Sequence, residues 1–304
     1  MANAIGFNIT PRGAFLYAAG LCFLALAKAK NVLRGYTTPR TFPISQTQRA
    51  VAYDMKVVDE WLAHFERLSG GQHAVRSQHV LELGPGSDLG VGLYLLAKGA
   101  ASYCACDVHD LIANTPDSFY AALLERIRAG DPAVNVQQLA DELRAARAGA
   151  ASRLRLVVRE DFDLVAAFGP ASIDRVFSQA AFEHFDDVAA TVAQLSAVCR
   201  SGATIVAVID LKTHSRWIRN VDPNNIYRYS DAVYRRFWFR GAPNRVRPYR
   251  YRELFTQNGW ADVSVTPLGQ IRDQKHEEPP MDRQFRDARN QLNYLSVLLY
   301  ARKL

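Results

Sequence analysis

The clearest periodicity in the chain follows Ser45, where Val51, Met55, Val58, Leu62 and Phe65 recur at spacings of four, three, four and three. That spacing lays one apolar stripe along a helix, which Ser45 can cap and Gly70-Gly71 ends. Short apolar runs bounded by turn residues then alternate with helical patterns. Strands are expected at His79–Leu83, Ser102–Val108, Arg153–Val158, Ile173–Phe177 and Ala203–Leu211, with helices at Leu89–Lys98 and Asp186–Cys199 between them. A helix near Tyr249–Asn258 and strands near Asp262–Pro267 and Tyr294–Arg302 complete the pattern. Strand–helix alternation of this kind builds a doubly wound, mostly parallel α/β sheet, here of seven strands.

Two segments stand outside the alternation. Residues 111–150 hold two helical patterns, Asp117–Ala129 and Val136–Ala148, and read as an insertion between the second and third strands. Residues 1–44 form an N-terminal hydrophobic helix and a Pro-punctuated connector (Pro39, Pro43) ahead of a domain spanning 45–304. From Gly13 to Ala27 there is no charge, and Lys28, Lys30 and Arg34 follow. Fifteen apolar residues are fewer than the roughly twenty a spanning helix needs. Three readings stay open: a helix packed on the domain or a partner, a membrane-surface or short anchoring helix through residues 13–34, and a cleaved signal. As an anchor, its basic flank would keep the domain on the cytoplasmic side.

Composition narrows the class only modestly. With 49% hydrophobic and 22% charged residues, 18 Gly and 13 Pro, the 304-residue chain is neither disordered nor low in complexity. Its four cysteines make neither a disulfide scaffold nor a paired zinc motif; Cys104 and Cys106 read as small core residues. Charge is more telling, because the net +7 is concentrated. Between Lys212 and Arg252 lie eleven basic residues against Asp222 and Asp231, interleaved with aromatics. An anionic acceptor is therefore expected to bind along 212–252, by arginine forks and aromatic faces; the bland alternative is a solvated basic surface. The same mixture suits single-stranded nucleic acid, although no appended RNA-binding module is recognisable.

The most informative stretch is Glu82-Leu83-Gly84-Pro85-Gly86-Ser87-Asp88-Leu89-Gly90, where the first strand hands over to its helix. Glycine there lets backbone approach a ligand closely. A dinucleotide fingerprint requires glycine at the position Leu89 occupies, so NAD is disfavoured. Glu82 suits a ligand with a positively charged end. Asp107, ending the second strand, can accept hydrogen bonds from two ribose hydroxyls, and Glu160-Asp161-Phe162, ending the third, can read and cover an adenine. The alternatives are a turn cap at Asp107 and solvated surface at Glu160-Asp161.

Together these residues resemble the class I S-adenosylmethionine-dependent methyltransferases. The glycine turn looks like their motif I, Asp107 matches their ribose-binding acid, and Asp161 matches the acid that contacts adenine. Ile173 to Phe185 resembles their fourth strand and the Glu-His turn after it, the likeness extending over about residues 45–304. One departure is Asp88, which replaces a frequent third glycine. The resemblance implies a Rossmann-like fold, S-adenosylmethionine as cofactor, and a cofactor site of Glu82, Gly84, Pro85, Gly86, Asp107, Val108, Glu160, Asp161, Phe162 and Ser178.

A looser resemblance is to bacterial members associated with surface-glycan and cell-wall biosynthesis, carried by Asp210 and His214, by Asn225 to Ser230, and by Asn244-Arg245-Val246-Arg247. It implies a glycan, glycolipid or small-molecule hydroxyl as acceptor, with Arg228, Tyr229, Asn244, Arg245 and Arg247 binding it. His214 and His184 are the candidates for accepting the proton or orienting the acceptor, with Asp210 behind His214. Alternatives are an RNA methyltransferase and a non-catalytic S-adenosylmethionine-binding scaffold. Asp210, His214 and Asp222 match no specific ligand motif, so no metal is expected. The expected location is cytoplasmic, with association at the inner face of the membrane under the anchoring reading of residues 13–34.

Overall fold

In the computed structural model, residues 10–35, 43–70, 75–110, 112–271 and 280–304 are described. Pro39, Gly71 and Leu111, which entered the expectations above, lie outside them. In chain order the elements are α1 (Pro11–Arg34), α2 (Thr47–Ser69), β1 (His79–Leu83), α3 (Gly90–Ala97), β2 (Ser102–Asp107), α4 (Asp117–Gly130), α5 (Val136–Arg147), β3 (Leu154–Val158), α6 (Leu164–Phe168), β4 (Ile173–Gln179), α7 (Val188–Val198) and β5 (Cys199–Asp210). Then follow α8 (Ile218–Val221), α9 (Asp231–Phe237), α10 (Pro248–Gln257), β6 (Trp260–Gln270) and β7 (Tyr294–Lys303).

The strands form one seven-stranded sheet in the order β3-β2-β1-β4-β5-β7-β6, parallel except for β7, which runs antiparallel between β5 and β6. This is the Rossmann-like arrangement of class I methyltransferases. Its order reverses between β1 and β4, and ligands in open α/β sheets bind beyond the strand C-termini at that reversal. Strand alternation divides the core. Val80 and Phe177 face α2, α3 and α4, while Leu81, Leu83 and Val176 face α7 and α10. Because side chains alternate with period two, Glu82 shares the α2 side with Val80.

On that side Trp61 of α2 is fully buried, stacked on Phe177 at 5.0 Å and 7°, and its Nε1 donates to Gln179 Oε1 at 3.2 Å. Truncating such a side chain costs about 3–5 kcal/mol, so this one contact largely fixes where α2 sits. The segment read as an insertion, α4 and α5, packs against α2 and α3 through Phe119, Leu123 and Leu139.

Several local expectations change. Ser45 does not cap α2: it lies in a 3₁₀ turn over Ile44–Gln46, and the helix begins at Thr47 with no side-chain cap. The 212–252 segment, read as one basic stretch, folds into α8, a 3₁₀ turn at Asn225–Arg228, α9 and the start of α10, with its own small core of Ile226, Tyr227, Tyr229, Tyr234 and Phe285. α1 packs on this unit. Gly20 sits so close that a Cβ would lie 2.0 Å from Asn225 Oδ1 and 2.1 Å from the Tyr229 hydroxyl. Tyr17 meets Tyr229 edge-on at 4.8 Å, and Lys28 Nζ donates to the Arg236 carbonyl at 2.9 Å.

Candidate active site

A cavity of about 1510 Å³ opens beyond the C-termini of β1, β2, β4 and β5 and runs to α1 and the 213–243 segment. Ligand pockets typically measure roughly 300–1,000 Å³, so there is room for a cofactor and an acceptor together.

The glycine turn forms its floor. Gly84 and Gly86 adopt φ of +71° and +78°, and a Cβ on Gly84 would meet the Ala181 Cβ at 2.6 Å. Any other residue at Gly84 would push the β1 and β4 loops apart. Glu82 is 2% exposed and accepts a hydrogen bond from the Tyr103 hydroxyl at 2.6 Å. Burial pushes its carboxyl up to about 8, against the lowering effect of that hydrogen bond. Nearby, Asp54 of α2 and Asp88 are both buried and both raised, by burial first, with the Asp88 charge next for Asp54. Asp54 Oδ2 takes no partner of normal geometry among the described residues. Three buried acids with no ion pair among the described residues make one end of the cavity a site for positive charge.

Asp54 was not singled out in the sequence. Its signal was a carboxylate on a buried helical face, three residues after Val51 and four before Val58.

Asp107 ends β2 on the cavity wall, accepts from the His109 N–H at 3.0 Å, and is raised by burial. Val108, Pro85, Glu160 and Phe162 line the same space, Phe162 packing on Phe185 at 5.1 Å. Asp161 is also at the wall, but its carboxylate is held by Arg159 (2.8 and 2.6 Å) and by the Asp163 N–H, with Arg159 first in bringing it down to about 2. Ser178 is displaced from its expected role. It is fully buried and donates to the Leu83 carbonyl at 3.0 Å, tying β4 to β1 beneath the cavity rather than facing it.

This set fits S-adenosylmethionine. The acidic end, with its orphaned Asp54 oxygen, suits the positively charged sulfonium and ammonium; Asp107 suits the ribose hydroxyls; the Gly84-Pro85-Gly86 turn lines the cavity between them.

Past the glycine turn, the ends of β4 and β5 bring His184, His214 and Asp210 together. The rings stand 4.8 Å apart, and Asp210 Oδ2 is 3.8 Å from His214 Nε2. His184 Nδ1 donates to the Gly241 carbonyl at 2.7 Å; a carbonyl only accepts, so the proton is on Nδ1 and Nε2 is bare. Burial, then His214, pushes His184 down to about 4. Burial alone would raise Asp210, but His214, the Lys212 N–H and Arg219 bring it to about 2.

The five residues assigned to acceptor binding belong elsewhere. Arg228 is a buried bidentate partner of Asp222 (2.7 and 2.8 Å). Tyr229 donates toward the Tyr17 carbonyl and Asn225 Oδ1. Asn244 donates to the Phe182 and Phe185 carbonyls, Arg245 to those of Ile226 and Tyr229 and to Asp231, and Arg247 to those of Asn290, Gln291 and Tyr294. Buried arginines need such partners, and donors so committed brace the loops under the cavity instead of reaching into it. The cavity wall from this segment is made by Arg216, Trp217, Tyr234, Phe239 and Arg240, with Phe23 and Lys30 of α1.

Residues 117–207 match the model of a methyltransferase domain. No curated relative matches the sequence. Among solved structures the chain is similar to phosphoethanolamine N-methyltransferase 2 of Haemonchus contortus bound to S-adenosylmethionine, at 15% identity over 81% of this chain and 52% of that one, with a TM-score of 0.42. It is also similar to an S-adenosylmethionine-dependent methyltransferase of Mesorhizobium loti (16% identity, 79% and 98% coverage, TM-score 0.41). A third is geranyl diphosphate methyltransferase with S-adenosylmethionine (14%, 84% and 85%, 0.44). The domain match, with the sheet order and the cavity chemistry, defines an enzyme class: this is a methyltransferase with S-adenosylmethionine as its cofactor.

Proposed function

We propose that the enzyme methylates a hydroxyl of an anionic glycan, glycolipid or small-molecule acceptor. The carrying observation is the division of one cavity: acids and glycines at the β1–β2 end, a histidine pair at the β4–β5 end, and cations with aromatics beyond. When bound, S-adenosylmethionine supplies an activated methyl group on a positively charged sulfur. The chain must then hold the acceptor in line and deal with its proton. His184 Nε2, bare and half-buried, and His214, backed by Asp210, are the groups placed to orient the hydroxyl and accept that proton. Arg216 and Lys30 line the wall without an ion pair among the described residues, which supports an anionic acceptor; Trp217, Tyr234 and Phe239 supply faces for a sugar ring or a lipid.

α1 supports a location at the inner face of a membrane. Its 24 residues are long and apolar enough to cross one by length and composition. Phe15, Val32 and Leu33 are exposed, while Phe23, Leu26 and Lys30 line the cavity. An acceptor with a lipid tail would thus meet both bilayer and cavity along one helix.

The test is methyl transfer from labelled S-adenosylmethionine to a panel of anionic and neutral hydroxylated acceptors. Arg216→Ala is expected to raise KM for anionic acceptors about tenfold while leaving cofactor affinity unchanged. Equal turnover of neutral acceptors, or transfer only to RNA, would overturn the acceptor assignment.

A further inference from the structure

One buried group in the cavity is not accounted for by cofactor binding or by the histidine pair. Glu183 lies in the single 3₁₀ turn Phe182–His184 after β4, is 4% exposed, and lines the cavity. Among the described residues neither of its carboxylate oxygens takes a hydrogen bond of normal geometry, although the backbone N–H groups of Glu183 and Asp210 stand near. The neighbouring guanidinium, Arg219, is committed to Asp210. A buried carboxylate left this way is costly unless a cation joins it.

The next residue and one from β5's exit complete a ligand set. One carboxylate oxygen of Glu183 and one ring nitrogen each from His184 and His214 lie within 4.8 Å of one another. Both rings also have the outer partners typical of metal-binding histidines. His184 Nδ1 donates to the Gly241 carbonyl, which turns a bare Nε2 outward, and the Asp210 carboxylate stands 3.8 Å from His214 Nε2.

We propose that Glu183, His184 and His214 bind one divalent first-row transition-metal ion of the zinc class, with an open coordination position facing the cavity. Two histidines and a carboxylate are a donor set for such ions, and three protein ligands leave a position for an exogenous oxygen. With bonds of about 2.1 Å, ligand atoms in a tetrahedral site lie about 3.4 Å apart, so side-chain rotations of about 1 Å close the triad. Metal binding stands on these residues alone. Its role rests on the hydroxyl-acceptor reading: an acceptor oxygen at the open position gives up its proton to water more readily and is held as the nucleophile. With the ion bound, His184 and His214 are its ligands and orient the acceptor through it, and water takes the proton that the free rings would otherwise accept.

Titrating the metal-free full-length protein with Co²⁺ alone, followed by visible absorption, tests the site. One equivalent is expected to bind with nitrogen–oxygen-type bands, to be displaced by Zn²⁺, and to bind at least tenfold more weakly in Glu183→Gln and in His214→Ala. Both variants should keep wild-type S-adenosylmethionine affinity, which certifies their fold. Absence of saturable Co²⁺ binding, thiolate-type bands, or unchanged affinity in both variants would overturn the site. The two ideas separate cleanly. Full-rate O-methylation by EDTA-treated protein would overturn the metal's role and leave the hydroxyl-acceptor reading intact. Normal Co²⁺ binding with transfer only to a nitrogen or carbon acceptor would keep the site and overturn that reading.

Discussion

At the scale of single residues, the cavity holds buried acids that burden the fold in order to serve a cationic ligand. Burial raises Glu82, Asp54 and Asp88 together, Glu82 to about 8. A carboxyl whose folded pKa exceeds its unfolded value favours the fold only while protonated in both states. As pH rises above about 4, the unfolded chain releases protons that the folded chain retains, and stability falls until the folded pKa is passed. Asp54→Asn removes one such group. In thermal melts the cofactor-free variant should gain about 3 °C over wild type at pH 8 and little at pH 5, while calorimetry should show S-adenosylmethionine binding at least about tenfold more weakly. A stability gain without loss of affinity would place the cofactor's charge elsewhere. The same scale explains why the acceptor residues read from sequence moved. An arginine in a sequence shows its charge but not its partner, and Arg228, Arg245 and Arg247 are buried against Asp222, Asp231 and main-chain carbonyls.

Among elements, those written in local periodicity were legible. β1, β4, β7, α4, α5 and α7 fall within a few residues of their expected bounds because alternation and caps such as Asp187, whose side chain accepts from the Ala190 N–H, are local signals. The short helices α6, α8 and α9 left no such trace, since four to seven residues carry less than two turns of pattern. Nor could the pattern show that α1 would lie over the 225–237 segment, which is more than two hundred residues away in the chain. Gly20 is the hinge of that contact: Gly20→Val would drive a side chain into Asn225 and Tyr229. Hydrogen exchange should show α1 and residues 225–237 losing protection together in this variant, with the β1–β5 amides unaffected. Unchanged protection would mean that α1 is held by other contacts.

For the whole molecule, the placement of the acids at strand ends was readable because the fold sends every β–α turn to one edge, whereas the second half of the cavity is assembled from loops that carry no periodic signal. Its position under an apolar helix that exposes Phe15, Val32 and Leu33 and carries Lys28 and Lys30, beside Arg236 of α9, leads to a property of the intact protein. In flotation assays it should associate with vesicles containing anionic lipid, more weakly with neutral ones, and less as salt is raised. Recovery wholly in the soluble fraction for both vesicle types would contradict the proposed membrane contact.

The central claim is that the sheet edge holds S-adenosylmethionine through Asp107 and the acidic end of the cavity. Parallel calorimetric titration with S-adenosylmethionine, its demethylated product and NADH tests it most directly. The account predicts micromolar binding of the first two, none of NADH, and a loss of at least about tenfold in Asp107→Ala. A folded protein that binds none of them, or an Asp107→Ala variant with wild-type affinity, would contradict it.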